Sequence, residues 1–147
     1  MEASIELKNL YLRLLEAYNT GDENFMERFT APDVLVIGTD PEEWWDNSSI
    51  FLEAVRVQLK EFRDAGLTAT PGKPQAYVDG RIGWIADRPQ FALPDGTAFE
   101  SRVTAVVRWQ EGQWKFVQQH FSLGVQNPDV TELETAGEEG LALEAVA

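Results

Sequence analysis

Histidine is the one side chain whose ordinary pKa lies near neutrality, and this chain has a single histidine, His120, in the segment from Trp114 to Ser122. A side chain of that kind gives and takes a proton when it stands within reach of a bound molecule. The carboxylate best suited to work with it is Asp40, which precedes Pro41 in the turn-forming stretch Gly38-Thr39-Asp40-Pro41. Asp40 would orient the imidazole, or act as base while the imidazole donates. Together they would move a proton across a carbonyl-containing substrate. Both residues also have a plainer reading. His120 would be a buried hydrogen-bonding strut for the strands or for Gly38-Thr39, and Asp40 a turn or cap residue favoured for its short acceptor side chain.

Other chemistries find little footing. The chain has no cysteine, which excludes disulfides, thiolate metal sites and a cysteine nucleophile. With one histidine no metal constellation emerges, and Glu42, Glu43 and Asp46 read as solvated loop charges. There is no glycine-rich phosphate loop and no Gly-x-Ser-x-Gly nucleophile motif. Cofactor-free chemistry is the expectation. A formal net charge of −13 argues against nucleic acid and against acidic membrane surfaces as partners. The segment from Met1 to Asn19 mixes charges with apolar residues and so lacks the apolar run of a signal peptide or membrane span. A cytoplasmic protein is the simplest reading.

The elements that must position these residues are legible in part. At 147 residues, with 44% hydrophobic content and 8 Phe, 5 Trp and 3 Tyr, the chain has material for one domain with a substantial core. From Ala3 to Asn19 apolar residues recur at three- and four-residue steps and predict an amphipathic helix ended by Gly21. Asp22 would cap a second helix reaching Phe29. Val34 to Ile37 reads as a short buried strand. A third helix, with Phe51, Val55, Leu59 and Phe62 in register, is expected from about Ser49 to Ala65 and closes at Gly66. From Leu67 to Val125 strand patterns alternate with turn signals at Asp79-Gly80, Pro94-Asp95-Gly96 and Glu111-Gly112. Helices first and a meander afterwards predict an α+β domain with helices gathered on one face of a curved antiparallel sheet. Residues 127–147 carry six acids and no Lys or Arg, so without them the net charge would be −7 rather than −13. They read as an acidic extension, docked or forming a short helix near Leu141 to Val146, behind a domain spanning 1–126.

A two-residue turn at Glu111-Gly112 pairs Gln110 with Gln113 and settles which side chains share a face, provided that the hairpin is regular. One face then holds Ser101, Gln118, His120 and Ser122 clustered at one end of an otherwise apolar surface. That face is expected to be the covered, concave one, and the cluster is the expected site. The other face would expose an apolar streak of Val106, Val117, Phe121 and Leu123, suited to a homodimer interface. For the strand from Arg81 to Ala92 two registers stay open. A three-residue loop with Gly96 left-handed turns Ile85, Asp87 and Phe91 inward; a two-residue loop turns Trp84 inward, and Trp84 is preferred as a pocket wall. Of the neighbours Trp44 and Trp45 only one is expected to enter the pocket, with Trp44 taken as the substrate contact. Trp109 and Trp114 should form a structural cross-strand pair.

The order of three helices then a meander, the Gly38 to Trp45 segment Gly-Thr-Asp-Pro-Glu-Glu-Trp-Trp and the closing Trp-Lys-Phe-Val-Gln-Gln-His-Phe-Ser resemble the SnoaL-like branch of the nuclear transport factor two superfamily. The resemblance spans about Glu2 to Gln126. It implies a cone-shaped α+β barrel with an interior cavity, frequent dimerisation through the sheet, and diverse chemistry that ranges from ketosteroid isomerases and polyketide cyclases to non-catalytic association domains. The family's closing His-Phe-Ser falls on His120, Phe121 and Ser122. The Tyr with paired Asp of ketosteroid isomerases is not apparent. Fold does not decide function here. The expected function is binding of a small, partly apolar organic molecule, with isomerase, cyclase or hydratase chemistry through His120 and Asp40; the alternative is a non-catalytic dimeric binding or association module.

Overall fold

The computed structural model describes residues 1–131. The short helix expected near Leu141 to Val146 lies outside the described residues. Helix α1 (Ile5–Thr20) starts where Ser4 accepts a hydrogen bond from the Leu7 N–H at 3.1 Å and stops at Gly21. Its apolar stripe of Leu7, Leu10, Tyr11, Leu14, Leu15 and Tyr18 is buried along the whole length. Asp22 caps α2 (Glu23–Phe29) by accepting from the Phe25 N–H at 3.0 Å. Asn47 caps α3 (Ser48–Ala65) through the Ile50 N–H at 2.9 Å, and left-handed Gly66 ends it. Phe51, Val55 and Leu59 face the core, each contributing roughly 1.5–3 kcal/mol by burial.

Among the described residues nine strands accompany these helices in an α+β fold: β1 (Glu2–Ala3), β2 (Thr30–Ile37), β3 (Trp44–Trp45), β4 (Thr68–Thr70), β5 (Gln75–Asp79), β6 (Ile82–Asp87), β7 (Gln90–Ala92), β8 (Ala98–Gln110) and β9 (Gln113–Leu123). The main order is β1-β5-β6-β8-β9-β2-β3, with β7 beside β8 and β4 beside β7. The curved sheet carries the three helices on one side but stays open, and it is mixed rather than antiparallel throughout, because β2 runs parallel to β9. No hairpin joins those two strands. The third helix and the whole meander lie between them, so a crossover is free to set their direction.

The hairpin at Glu111-Gly112 forms with Gln110 opposite Gln113 and Trp109 opposite Trp114, whose rings meet edge-to-face at 5.5 Å. Regular pairing then fails. Val107 faces Phe116 but Val106 faces Gln118, so Val117 is an extra residue in a β-bulge. A one-residue slip transfers every later side chain to the other face. His120, Gln118 and Ser122 therefore point to the outer face, and Gln119 and Phe121 point in, opposite to the expectation from a regular hairpin. The bulge packs the half-buried ring of Phe121 against the core and leaves the imidazole exposed, and removing Phe surface from water outweighs any gain from covering His. The streak expected outside loses Phe121 for the same reason. On that face the row Tyr77, Trp84, Val106, Gln118, Leu35 runs across five strands, all half-buried.

The Pro94-Asp95-Gly96 loop is the three-residue form. Leu93 N–H donates to the Thr97 carbonyl at 2.8 Å, and Gly96 has φ 90°. Ile85, Asp87 and Phe91 are accordingly buried, and Trp84 turns outward against Tyr77, ring centroids 6.0 Å apart. Trp84 is thus no pocket wall.

Candidate ligand pocket

A cavity of about 190 Å³ opens between α1, α3 and the sheet, on the far side of the bulge from the hairpin turn. Six aromatic rings line it: Tyr18 from α1, Phe62 from α3, Trp45 from β3, Phe91 from β7, Phe99 from β8 and Phe121 from β9. Tyr18 meets Phe121 edge-on at 5.8 Å and Phe62 at 6.3 Å. Among these apolar walls stand a few polar groups, notably Thr39, Glu43, Gln58 and Ser101.

Glu43 is held from three sides. Its Oε1 accepts from the Asp40 N–H at 2.8 Å, its Oε2 accepts from the Gln58 Nε2–H, and its backbone carbonyl accepts from the Gly38 N–H at 2.8 Å. Its side chain lies directly over Gly38, where an added Cβ would come within 2.7 Å of the Glu43 Cβ. The glycine of the Gly38-Thr39 dipeptide therefore lets the carboxylate fold back to the cavity wall. Tyr18 supplies a different group. Its hydroxyl has no hydrogen-bond partner among the described residues, and burial, followed by the charge of Glu43, raises its pKa above the ordinary 10.0. At working pH it is a neutral phenol able to donate.

Gln119 lies two residues before Phe121, in the inward row between Ala105 and Val36. It is fully buried, and neither its Oε1 nor its Nε2 has a hydrogen-bond partner among the described residues. Deeper in the core, Tyr11 donates to Asp87 Oδ2 at 2.7 Å, and the Gly72 N–H donates to the same oxygen at 3.1 Å. A Tyr–Asp pair thus exists, 76 positions apart in the chain, but neither residue lines the cavity.

Of the residues singled out in the sequence, Ser101 lines the cavity, its Oγ donating to the Ser122 carbonyl at 3.1 Å. Asp40 is exposed at the cavity mouth, where its Oδ1 accepts from the Glu42 N–H. His120 is exposed on the outer sheet face, beside Thr104 and Ile37, and no hydrogen bond or ion pair joins it to Asp40. Gln118 and Ser122 share that outer face. Trp44 is 60% exposed while Trp45 enters the cavity. The two tryptophans lie on a strand, where successive side chains oppose each other, and not on a helix. Sequence reasoning missed Tyr18, Glu43, Trp45, Gln58 and Phe121 as pocket residues. Gln58 did leave a trace, standing four residues before Phe62 on α3.

An open, curved sheet over three helices with a cavity at one end is the architecture of the nuclear transport factor two-like pocket proteins. The SnoaL-like domain model matches residues 7–126, and the chain belongs to that family. A nuclear transport factor two-like protein of unknown function from Pseudomonas putida KT2440 is similar in structure, with 15% identity, 82% of this chain and 86% of that one covered, and a TM-score of 0.76. A protein from Xanthomonas campestris provisionally described as a calcium/calmodulin-dependent protein kinase II association domain shares 18% identity over 83% of this chain and 88% of its own, with a TM-score of 0.69. One from Shewanella frigidimarina provisionally described as a ketosteroid isomerase shares 21% over 78% and 92%, with a TM-score of 0.62. At such identities the likeness speaks for the fold alone. No functionally curated protein matches the sequence.

Proposed function

We propose that this protein binds a small, partly apolar organic molecule in the aromatic cavity, and that any proton transfer there runs through Tyr18 and Glu43 instead of His120 and Asp40. The observation that carries the reading is a buried tyrosine whose hydroxyl has no hydrogen-bond partner among the described residues, set among aromatic walls beside a carboxylate. A neutral phenol donates to a substrate oxygen, and a carboxylate accepts a proton or balances a charge. That combination suits isomerisation or dehydration without a cofactor. A homodimer through the outer sheet face accords with its half-buried row of Tyr77, Trp84, Val106 and Leu35.

A second reading, a dimeric association module without catalysis, is favoured by one observation. The cavity, at about 190 Å³, is smaller than the roughly 300 Å³ at which ligand sites usually begin. Titrating small carbonyl and aromatic compounds into labelled protein, with NMR signals of Tyr18, Ser101, Phe121 and His120 followed together, separates the readings. Binding in the cavity shifts the first three. Shifts confined to His120 would relocate the site to the outer face, and a panel that moves nothing would leave the association module.

A further inference from the structure

We propose that the ligand taken by this cavity is a small organic cation, an amine or quaternary ammonium carrying an apolar body; the proposal rests on the binding reading above. Three features point the same way. The walls are six aromatic rings, whose π-faces attract a cation, most strongly where water is excluded. Among the described residues no Lys or Arg lines the cavity, and Glu43 is the only charged one on its wall. The mouth continues the pattern: an adjoining groove shares Thr39, Glu43, Trp45, Gln58 and Phe62 with the cavity and adds Asp40, Glu42 and Glu61, again without Lys or Arg.

None of these four carboxylates has an ion-pair partner among the described residues, whereas Arg56, Arg88, Arg108 and Lys115 pair with acids elsewhere. Unpaired carboxylates around a concave entrance focus a negative potential that draws cations in and repels anions. A bare metal ion fits poorly. Among the described residues no group of three or more His, Cys, Asp or Glu is gathered to hold one, and a wall made mostly of rings supplies few of the oxygens a hard ion requires. A cation with methyl or methylene surface satisfies both the rings and the carboxylate. Glu42 and Glu43, which look like solvated loop charges in the sequence, then belong to the entrance of a site.

Calorimetric titration with three probes of one shape tests this: choline, its uncharged carbon analogue 3,3-dimethylbutan-1-ol, and the anion 3,3-dimethylbutanoate. Choline should bind about tenfold or more tightly than the alcohol, with the anion weakest. Glu43→Gln, which keeps an acceptor oxygen for the Asp40 N–H, should erase most of that preference while leaving the alcohol unchanged. Asp40→Asn with Glu61→Gln should weaken choline severalfold at low salt, the loss fading as salt rises. Should Glu43→Gln fail to fold, the probe series and its salt dependence on the unaltered protein still decide. An alcohol or anion bound as tightly as choline overturns the cation proposal and leaves the pocket reading intact. So does binding of only a neutral compound from the carbonyl and aromatic panel. If neither the probes nor the panel bind, both fall together.

Discussion

Tyr11 and Tyr18 stand seven residues apart on the same face of α1, both are buried, and both phenols are pushed above the ordinary pKa of 10.0. What separates them is where the hydroxyl goes. Tyr11 donates to Asp87, and its pKa rises first through burial and then through that hydrogen bond. Tyr18 has no such partner and looks into the cavity. Burial and a displaced pKa are therefore common to a structural tyrosine and a candidate functional one. Only the accounting of hydrogen-bond partners tells them apart: the Tyr11 hydroxyl is spent inside the core, whereas that of Tyr18 is left for whatever enters the cavity.

The comparison can be broken at four places. Asp87→Ala should have the largest effect, about 3 kcal/mol lost in urea unfolding, since it strands both the Tyr11 hydroxyl and the Gly72 N–H in the core. Tyr11→Phe should cost about 1–2 kcal/mol. It should also change the alkaline limb. A phenol whose folded pKa lies above its unfolded value contributes stability that is full below the unfolded pKa of 10.0 and is lost as pH rises beyond it. Stability should fall less steeply above that pH in Tyr11→Phe, the remaining slope belonging to Tyr18.

Gly38→Ala comes next. The new methyl collides with Glu43, at a cost of roughly 1 kcal/mol, and displaces the carboxylate from the cavity wall. Thermal unfolding reads the first effect and ligand titration the second. Tyr18→Phe should be the mildest for stability, within about 0.5 kcal/mol, while lowering the affinity of a hydrogen-bonding ligand by about tenfold. A Tyr18→Phe loss as large as that of Tyr11→Phe would mean that its hydroxyl is structurally satisfied after all.

Much of the frame was readable before any coordinates. The spacing of Leu7, Leu10, Leu14 and Tyr18, the cap at Asp22 and the stop signals at Gly21 and Gly66 place three helices within a residue or two of their ends. Those signals are local, each read from a few neighbouring residues. The Glu111-Gly112 turn and its Trp109–Trp114 pair were equally legible, because a tight turn sets the register of the residues nearest to it. Beyond Val117 that reach ended. Nothing in the segment Phe116-Val117-Gln118 announces a bulge, which forms because later residues pack better after the slip. His120 and Phe121 exchanged faces as a result, and with them the expected site moved from His120 to Tyr18 and Glu43.

The sequence by itself determined the class of fold, the helix boundaries, the absence of thiol chemistry and the acidic character, all properties of composition or of contacts a few residues apart. The tertiary structure alone decided which groups meet. Tyr18, Glu43 and Phe121 belong to a helix, a turn and a strand widely separated in the chain, and only packing brings them around one cavity. The inward or outward sense of a strand is a two-way choice that one inserted residue reverses, so it is settled by the summed burial of the whole sheet and not by the local order of residues.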